Sequence, residues 1–261
     1  MTDRPSPINT LATLANVARL QTLVVTLQNR HYGLPGMGCY YGYAGFGKST
    51  AGIYVTNKFG ACHVQALPFG GTKKLLEMIV AELGLRPSGT VASLFDQAAA
   101  EMARTDRVLI IDEADQILRD STIEAVRSLH DQTGAPVILM GEERLPQKLR
   151  KWERVHGRML DWVAAEPATP DDVALLTPIY AAGIQIAPDI QAALLAASNG
   201  SIRNVSTNLA NLAGYAALNG LHRISMVEWG KRAFHTGVAP EARRGVGSIA
   251  PVMARGRRMA S

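Results

Sequence analysis

The stretch "GYAGFGKST", residues 42–50, constrains this chain more than any other. It fits G-x-x-x-x-G-K-[ST] with Gly42, Gly47, Lys48 and Ser49. Glycines at that spacing let backbone N–H groups turn inward around an anion, while the lysine reaches β- and γ-phosphates and the hydroxyl holds Mg²⁺. A helix must follow, so that its N-terminal dipole also faces the phosphates. "KSTAGIYVTNKFG" predicts that helix, ending at Gly60. The expected cradle is the whole loop: Gly42, Tyr43, Ala44, Gly45, Phe46, Gly47, Lys48, Ser49 and Thr50.

A second stretch, "RVLIIDEAD" (107–115), sets four consecutive aliphatics ahead of two carboxylates. An apolar run without alternation predicts a strand buried on both faces. A buried parallel strand delivers its next residue to the carboxyl edge of the sheet, where ligands bind. Asp112 is expected to orient Mg²⁺ and its water, and Glu113 to polarise the attacking water. Together the two stretches predict an NTP-hydrolysing P-loop domain.

The rest of the chain is consistent with a folded α/β protein. It is 47% hydrophobic over 261 residues, enough for a full core. No apolar run reaches the roughly 18 residues of a membrane span, and "MTDRPSPINT" lacks the form of a signal peptide. Cys39 and Cys62 sit in apolar runs and read as buried thiols in a reducing compartment. The histidines show no metal-ligand spacing. The net charge of +5 is concentrated at one end: residues 231–261 hold seven Lys/Arg against one acid. "APEARRGVGSIAPVMARGRRMAS" has no usable periodicity and is expected to be a disordered basic tail, suited to phosphate backbones.

The periodicity predicts four regions: an N-terminal helical segment (1–35), a P-loop α/β domain (36–168), a helical domain (169–238) and the tail (239–261). Strands are expected at about 38–42, 61–69, 107–112 and 135–141, with a short fifth in "LDWVAAE". Strands alternating with helices imply a parallel, three-layer sheet. One strand-helix unit separates the P-loop strand from the acidic strand in sequence, which resembles the ATPases that use an added catalytic glutamate and implies the acidic strand beside the P-loop strand. Thr72 is a candidate N-cap. After residue 173 the strand signal ends and four helices follow, punctuated by Gly183, Gly200, Gly220 and Gly230.

A P-loop α/β domain with "DE" on the acidic strand, followed by a small all-helical lid, resembles the AAA+ ATPases. "NGSIRNVSTNLA" sets Arg203 at the start of a lid helix, similar to the sensor-2 arginine that reaches the γ-phosphate. Within AAA+, the P-loop, "VLIIDEAD", "GAPVILMGEERL", "RVHGRM" and "GSIRNVSTNLANLAGYAAL" resemble the target-selecting ATPases of DNA transposition, the transposase-accessory family of Mu-like transposable phages. The resemblance spans roughly residues 10–235 and implies ATP and Mg²⁺ as ligands. It also implies homo-oligomers that form helical filaments on double-stranded DNA, a transposase partner and a bacterial cytoplasmic location. An N-terminal helix-turn-helix region found in the Mu protein has no counterpart at the start of this sequence. Helicase loaders share much of the pattern, and an ATP-gated interaction module with low turnover is a further alternative.

The resemblance assigns further roles. Where the family commonly has a sensor-1 Asn, "MGEERL" offers Glu142, an acid that would repel the γ-phosphate unless it acts through water or Mg²⁺. An arginine from a neighbouring subunit completes such sites, its fork matching phosphate oxygens. Arg158 is the first candidate, Arg154 the second, and Arg150 remains open. A filament also needs sequence-independent phosphate contacts. Lys73 and Lys74 open a helix against its dipole; Arg104, Lys148, Arg150 and Lys151 are the other candidates.

Overall fold

The computed structural model describes residues 13–239, so most of the expected basic tail lies outside the described residues. Five strands form the central sheet: β1 (Met37–Tyr41), β2 (Cys62–Gln65), β3 (Leu109–Asp112), β4 (Val137–Gly141) and β5 (Met159–Ala164). Their order is β2-β3-β4-β1-β5 and every pairing is parallel. "LDWVAAE" supplies β5, on the outer side of β1.

One expectation about order fails. The acidic strand β3 is not beside the P-loop strand β1; β4 lies between them, with Val137 level with both Met37 and Leu109. Hydropathy cannot order several aliphatic strands; the backbone pairing does. β4 is buried at every position, as the middle strand of a covered sheet must be.

Alternation divides the strand residues between two cores. Tyr40, Ile110, Ile138 and Met140 pack against α1 (Ala15–Gln28) and α2 (Lys48–Phe59). Cys39, Leu109, Ile111, Val137 and Leu139 pack against α3 (Thr72–Glu82), α4 (Val91–Thr105) and α5 (Asp120–Thr133). Both cysteines are free, and burial pushes the Cys62 thiol up to about 12. Thr72 is the first residue of α3, not its cap; Gly71 takes that place, and the Thr72 hydroxyl lies 2.9 Å from that of Thr122. The arginine-rich stretch after β4 forms two short helices, α6 (Leu145–Leu149) and α7 (Glu153–His156).

The C-terminal layer holds α8 (Pro170–Tyr180), α9 (Pro188–Ala197), α10 (Ile202–Leu218) and the single-turn α11 (Met226–Trp229). It is not all-helical: β6 (Gln185–Ile186) and β7 (Arg223–Ile224) form a parallel pair. Two residues are too few to show alternation in a sequence. Thr169 and Asp172 close a capping box at the start of α8, and Asp172 Oδ1 also accepts the Ala15 N–H at 2.9 Å, tying the starts of α1 and α8 together.

Candidate nucleotide site

Because all five strands run the same way, β1, β3 and β4 deliver their next residues to one edge. β1 feeds the P-loop, β3 ends at Asp112 and Glu113, and β4 ends at Gly141 and Glu142. The insertion of β4 between the other two therefore sets Glu142 between the P-loop and the acidic pair. Gly141 must be glycine here, since a Cβ would collide with Asp115 Oδ2.

α10 lies across the P-loop. The Arg203 N–H donates to Gly45 O at 3.2 Å. Gly45 has φ +86°, and a Cβ on it would meet Ser201 Oγ at 2.5 Å, so contact with α10 and backbone conformation both demand glycine. Between the P-loop and the C-terminal helices is a cleft of about 640 Å³. Its lining combines the polar and charged residues Lys48, Ser49, Thr50, Glu113, Glu142 and Arg203 with the apolar or aromatic Leu14, Leu176 and Tyr180. A nucleotide requires both kinds of surface, ionic for its phosphates and apolar for its base.

The residues present fit a nucleoside triphosphate with Mg²⁺. No side chain caps the N-terminus of α2, so its first-turn N–H groups face the cleft without a competing ligand. The Lys48 ammonium donates to Gly42 O (2.7 Å) and Tyr43 O (2.9 Å), within the loop that would hold the phosphates. Burial lowers its pKa, against the upward pull of Asp112, Glu113, Asp115 and Glu142. Glu113 is held in the left-handed region at φ +54°, a strained conformation for a non-glycine residue. Burial raises its pKa and the neighbouring Asp112 raises it further, which suits a base. Asp112 is buried beneath, one carboxylate oxygen accepting the Glu113 N–H at 2.8 Å.

Not all expected cradle residues face the cleft. Ala44, Gly45, Gly47, Lys48, Ser49 and Thr50 line it. Gly42 is buried at the strand end, and Tyr43 lies against Phe46 with ring centroids 5.6 Å apart. The Phe46 side chain is a core anchor.

Several lining residues were not identified from sequence. Ser206, Thr207, Ala210 and Asn211 continue the face of α10 that the expected Arg203 begins, and Leu176 and Tyr180 form one face of α8. The helical spacing was legible; which face meets the P-loop was not. The other missed residue is Asn16. It is buried in α1, its amide nitrogen donating to Phe46 O (2.9 Å) and Glu166 O (2.8 Å) and its oxygen accepting the Glu166 N–H (2.8 Å). It thus pins the P-loop to the segment after β5. Asn16→Ala leaves these groups unpaired and is expected to cost roughly 2–4 kcal/mol in urea unfolding; a change below about 0.5 kcal/mol would refute this role.

The arginine candidates lie elsewhere. Arg158 is at the opposite edge of the sheet, where its carbonyl accepts the Met37 N–H at 2.9 Å. Its guanidinium donates to both Asp131 oxygens, at 2.7 and 3.1 Å, and holds that carboxyl below the usual carboxylate range. A strand of β1's length separates it from the cleft of its own chain. The side chains of Arg154 and Arg150 are exposed and make no polar contact among the described residues.

The DNA-contact candidates do not form one patch. Lys73 and Lys74 are at the carboxyl edge of the sheet, Lys73 4.0 Å from Glu77. Arg104 pairs with Glu101 at the end of α4, towards the other edge, and Lys151 is exposed. Lys148 is bound to Asp115 beside the cleft.

Residues 31–149 match the family model of an AAA domain. This is an AAA+ P-loop fold. Among solved structures, the chain is similar to the Orc1 protein of Aeropyrum pernix in complex with DNA, at a TM-score of 0.54 and 18% identity, covering 82% of this chain and 62% of that one. It is also similar to Cdc6p of Pyrobaculum aerophilum, at a TM-score of 0.63 and 15% identity, covering 85% and 68%. The chain thus spans less than two thirds of the Orc1 chain. No curated protein matches it. No helix of the described residues is long and apolar enough to cross a membrane.

Proposed function

We propose that this protein is an ATPase that assembles on duplex DNA in its ATP-bound form and hands that DNA to a transposase. One observation carries the ATPase reading: Lys48, Glu113 and Arg203 line a single cleft that also has apolar walls. In this reading residues 36–168 are the ATPase core and 169–238 the lid. Lys48 binds the β- and γ-phosphates, and Ser49 and Asp112 hold Mg²⁺, which supplies charge neutralisation of the triphosphate. Glu113 takes the proton of the attacking water. Arg203 contacts the γ-phosphate from the lid, so nucleotide occupancy sets the lid against the core.

Support for DNA and the transposase comes from the resemblance of "VLIIDEAD", "GAPVILMGEERL" and "RVHGRM", the basic chain end, and the likeness to an Orc1 solved with DNA. A second reading is a helicase-loading ATPase of the same fold, since such loaders share much of this sequence pattern. A helicase ring in place of DNA as the stable partner would select it.

Assembly predicts a shared site. Arg158, remote from its own cleft, serves the neighbour's, releasing Asp131 to do so. As an exposed pair, Arg158–Asp131 is worth under about 1 kcal/mol. Hydrolysis per subunit is expected to rise with protein concentration on DNA. Arg158→Ala is expected to abolish that rise while ATP affinity and thermal stability stay near wild type. A rise that survives the substitution assigns the role to Arg154 or Arg150, and a wild-type rate independent of concentration refutes the shared site.

A further inference from the structure

Glu142 is an anomaly within the ATPase reading: a carboxylate at the phosphate end of a cleft meant for a polyanion. We propose that Lys148 is a positioning residue that masks the Glu142 charge, so that an acid can stand at the end of β4 without repelling the triphosphate. The inference rests on the ATPase reading and concerns the same cleft.

The geometry is a clamp built on Asp115. That carboxylate is nearly buried, its side chain 6% exposed. One oxygen accepts the Glu142 backbone N–H at 2.8 Å, which fixes where β4 ends and where the Glu142 side chain begins. The other accepts the Lys148 ammonium at 2.6 Å. Held there, the ammonium stands 3.6 Å from Glu142 Oε2. Lys148 arrives from α6, the first helix after β4, so the stretch "GEERLPQK" carries both the acid and its counter-charge. The hydrogen bond to Asp115 raises the Lys148 pKa, keeping it cationic.

Folding stability does not explain the Lys148–Glu142 contact. The Glu142 side chain is 68% exposed, and an ion pair that open to water contributes little to folding. Its effect grows when the cleft is filled, since displacing water strengthens every charge interaction there. Asp112, Glu113, Asp115 and Glu142 all act on Lys48. Without Lys148, that acidic group would face the γ-phosphate with one more uncompensated negative charge.

The test is a double-mutant cycle on the full chain. ATP and ADP affinities and steady-state hydrolysis are measured for Lys148→Met, Lys148→Arg, Glu142→Gln and the Lys148→Met/Glu142→Gln pair, with thermal unfolding as the control for folding. Lys148→Met is expected to weaken ATP by about tenfold or more and ADP by less, because only ATP adds a γ-phosphate beside the acid. Lys148→Arg is expected to keep ATP affinity. In the Glu142→Gln background, losing Lys148 is expected to cost less than about threefold. Equal losses in both backgrounds, or none in either, would overturn the proposal. Wild-type protein that binds no ATP would overturn the ATPase reading itself, which is a separate result.

Discussion

Lys48→Ala is expected to weaken ATP binding by about 100-fold, corresponding to about 2.7 kcal/mol, while the protein remains folded. The ammonium is the only lysine lining the cleft among the described residues, and it sits at the first residue of α2. In the structure it holds two P-loop carbonyls, Gly42 O and Tyr43 O. The Tyr43 carbonyl is open to water and only the Gly42 carbonyl is part-buried, so losing the ammonium costs at most about 1–3 kcal/mol of stability. The phosphates have no such substitute, because the remaining cation of the cleft, Arg203, approaches from the other wall. Isothermal titration with ATP reads the effect directly. An affinity within a few-fold of wild type would mean that triphosphate does not bind at the α2 N-terminus.

The second large effect separates binding from chemistry. Glu113→Gln is expected to retain ATP affinity but lower hydrolysis by about 10²- to 10⁴-fold, the range expected for loss of a positioned general base. The sign of the pH dependence follows from the surroundings of this carboxyl. Burial and Asp112 raise its pKa, so the protonated, inactive form persists to higher pH than for an ordinary glutamate. Wild-type hydrolysis is therefore expected to decline on acidification before a typical carboxylate would titrate. The residual activity of Glu113→Gln lacks that acid limb. A variant with near-normal turnover would shift the base elsewhere, with Glu142 the next carboxylate on the cleft. An unchanged rate for wild type and Glu113→Gln, both low with DNA present, would instead favour an ATP-gated module.

The chemistry was easier to read from the sequence than the geometry. Gly42, Gly47, Lys48 and Ser49 lie on a contiguous loop, and Asp112–Glu113 directly end an aliphatic run, so local spacing identifies them. The position of β4 depends on which aliphatic strand pairs with which, and four similar runs carry no such information. Asn16 shows the same limit. It stands in an ordinary helical repeat, and its partners, Phe46 and Glu166, are distant in sequence and bind through backbone atoms that leave no compositional mark. The apolar lining of the cleft draws Leu14 from the start of α1 and Leu176 and Tyr180 from α8, which are distant in sequence. Lys148 is the instructive case. By composition it is one of several surface cations near α6; only the nearly buried carboxylate of Asp115 turns it towards the cleft.

Negative-stain electron microscopy with duplex DNA tests the central claim most directly, comparing ATP or a slowly hydrolysed analogue with ADP. The account predicts filaments on DNA with ATP or the analogue and none with ADP, and persistent filaments for Glu113→Gln because it cannot discharge the nucleotide. Bare DNA beside monomers or free rings in every nucleotide state would contradict it.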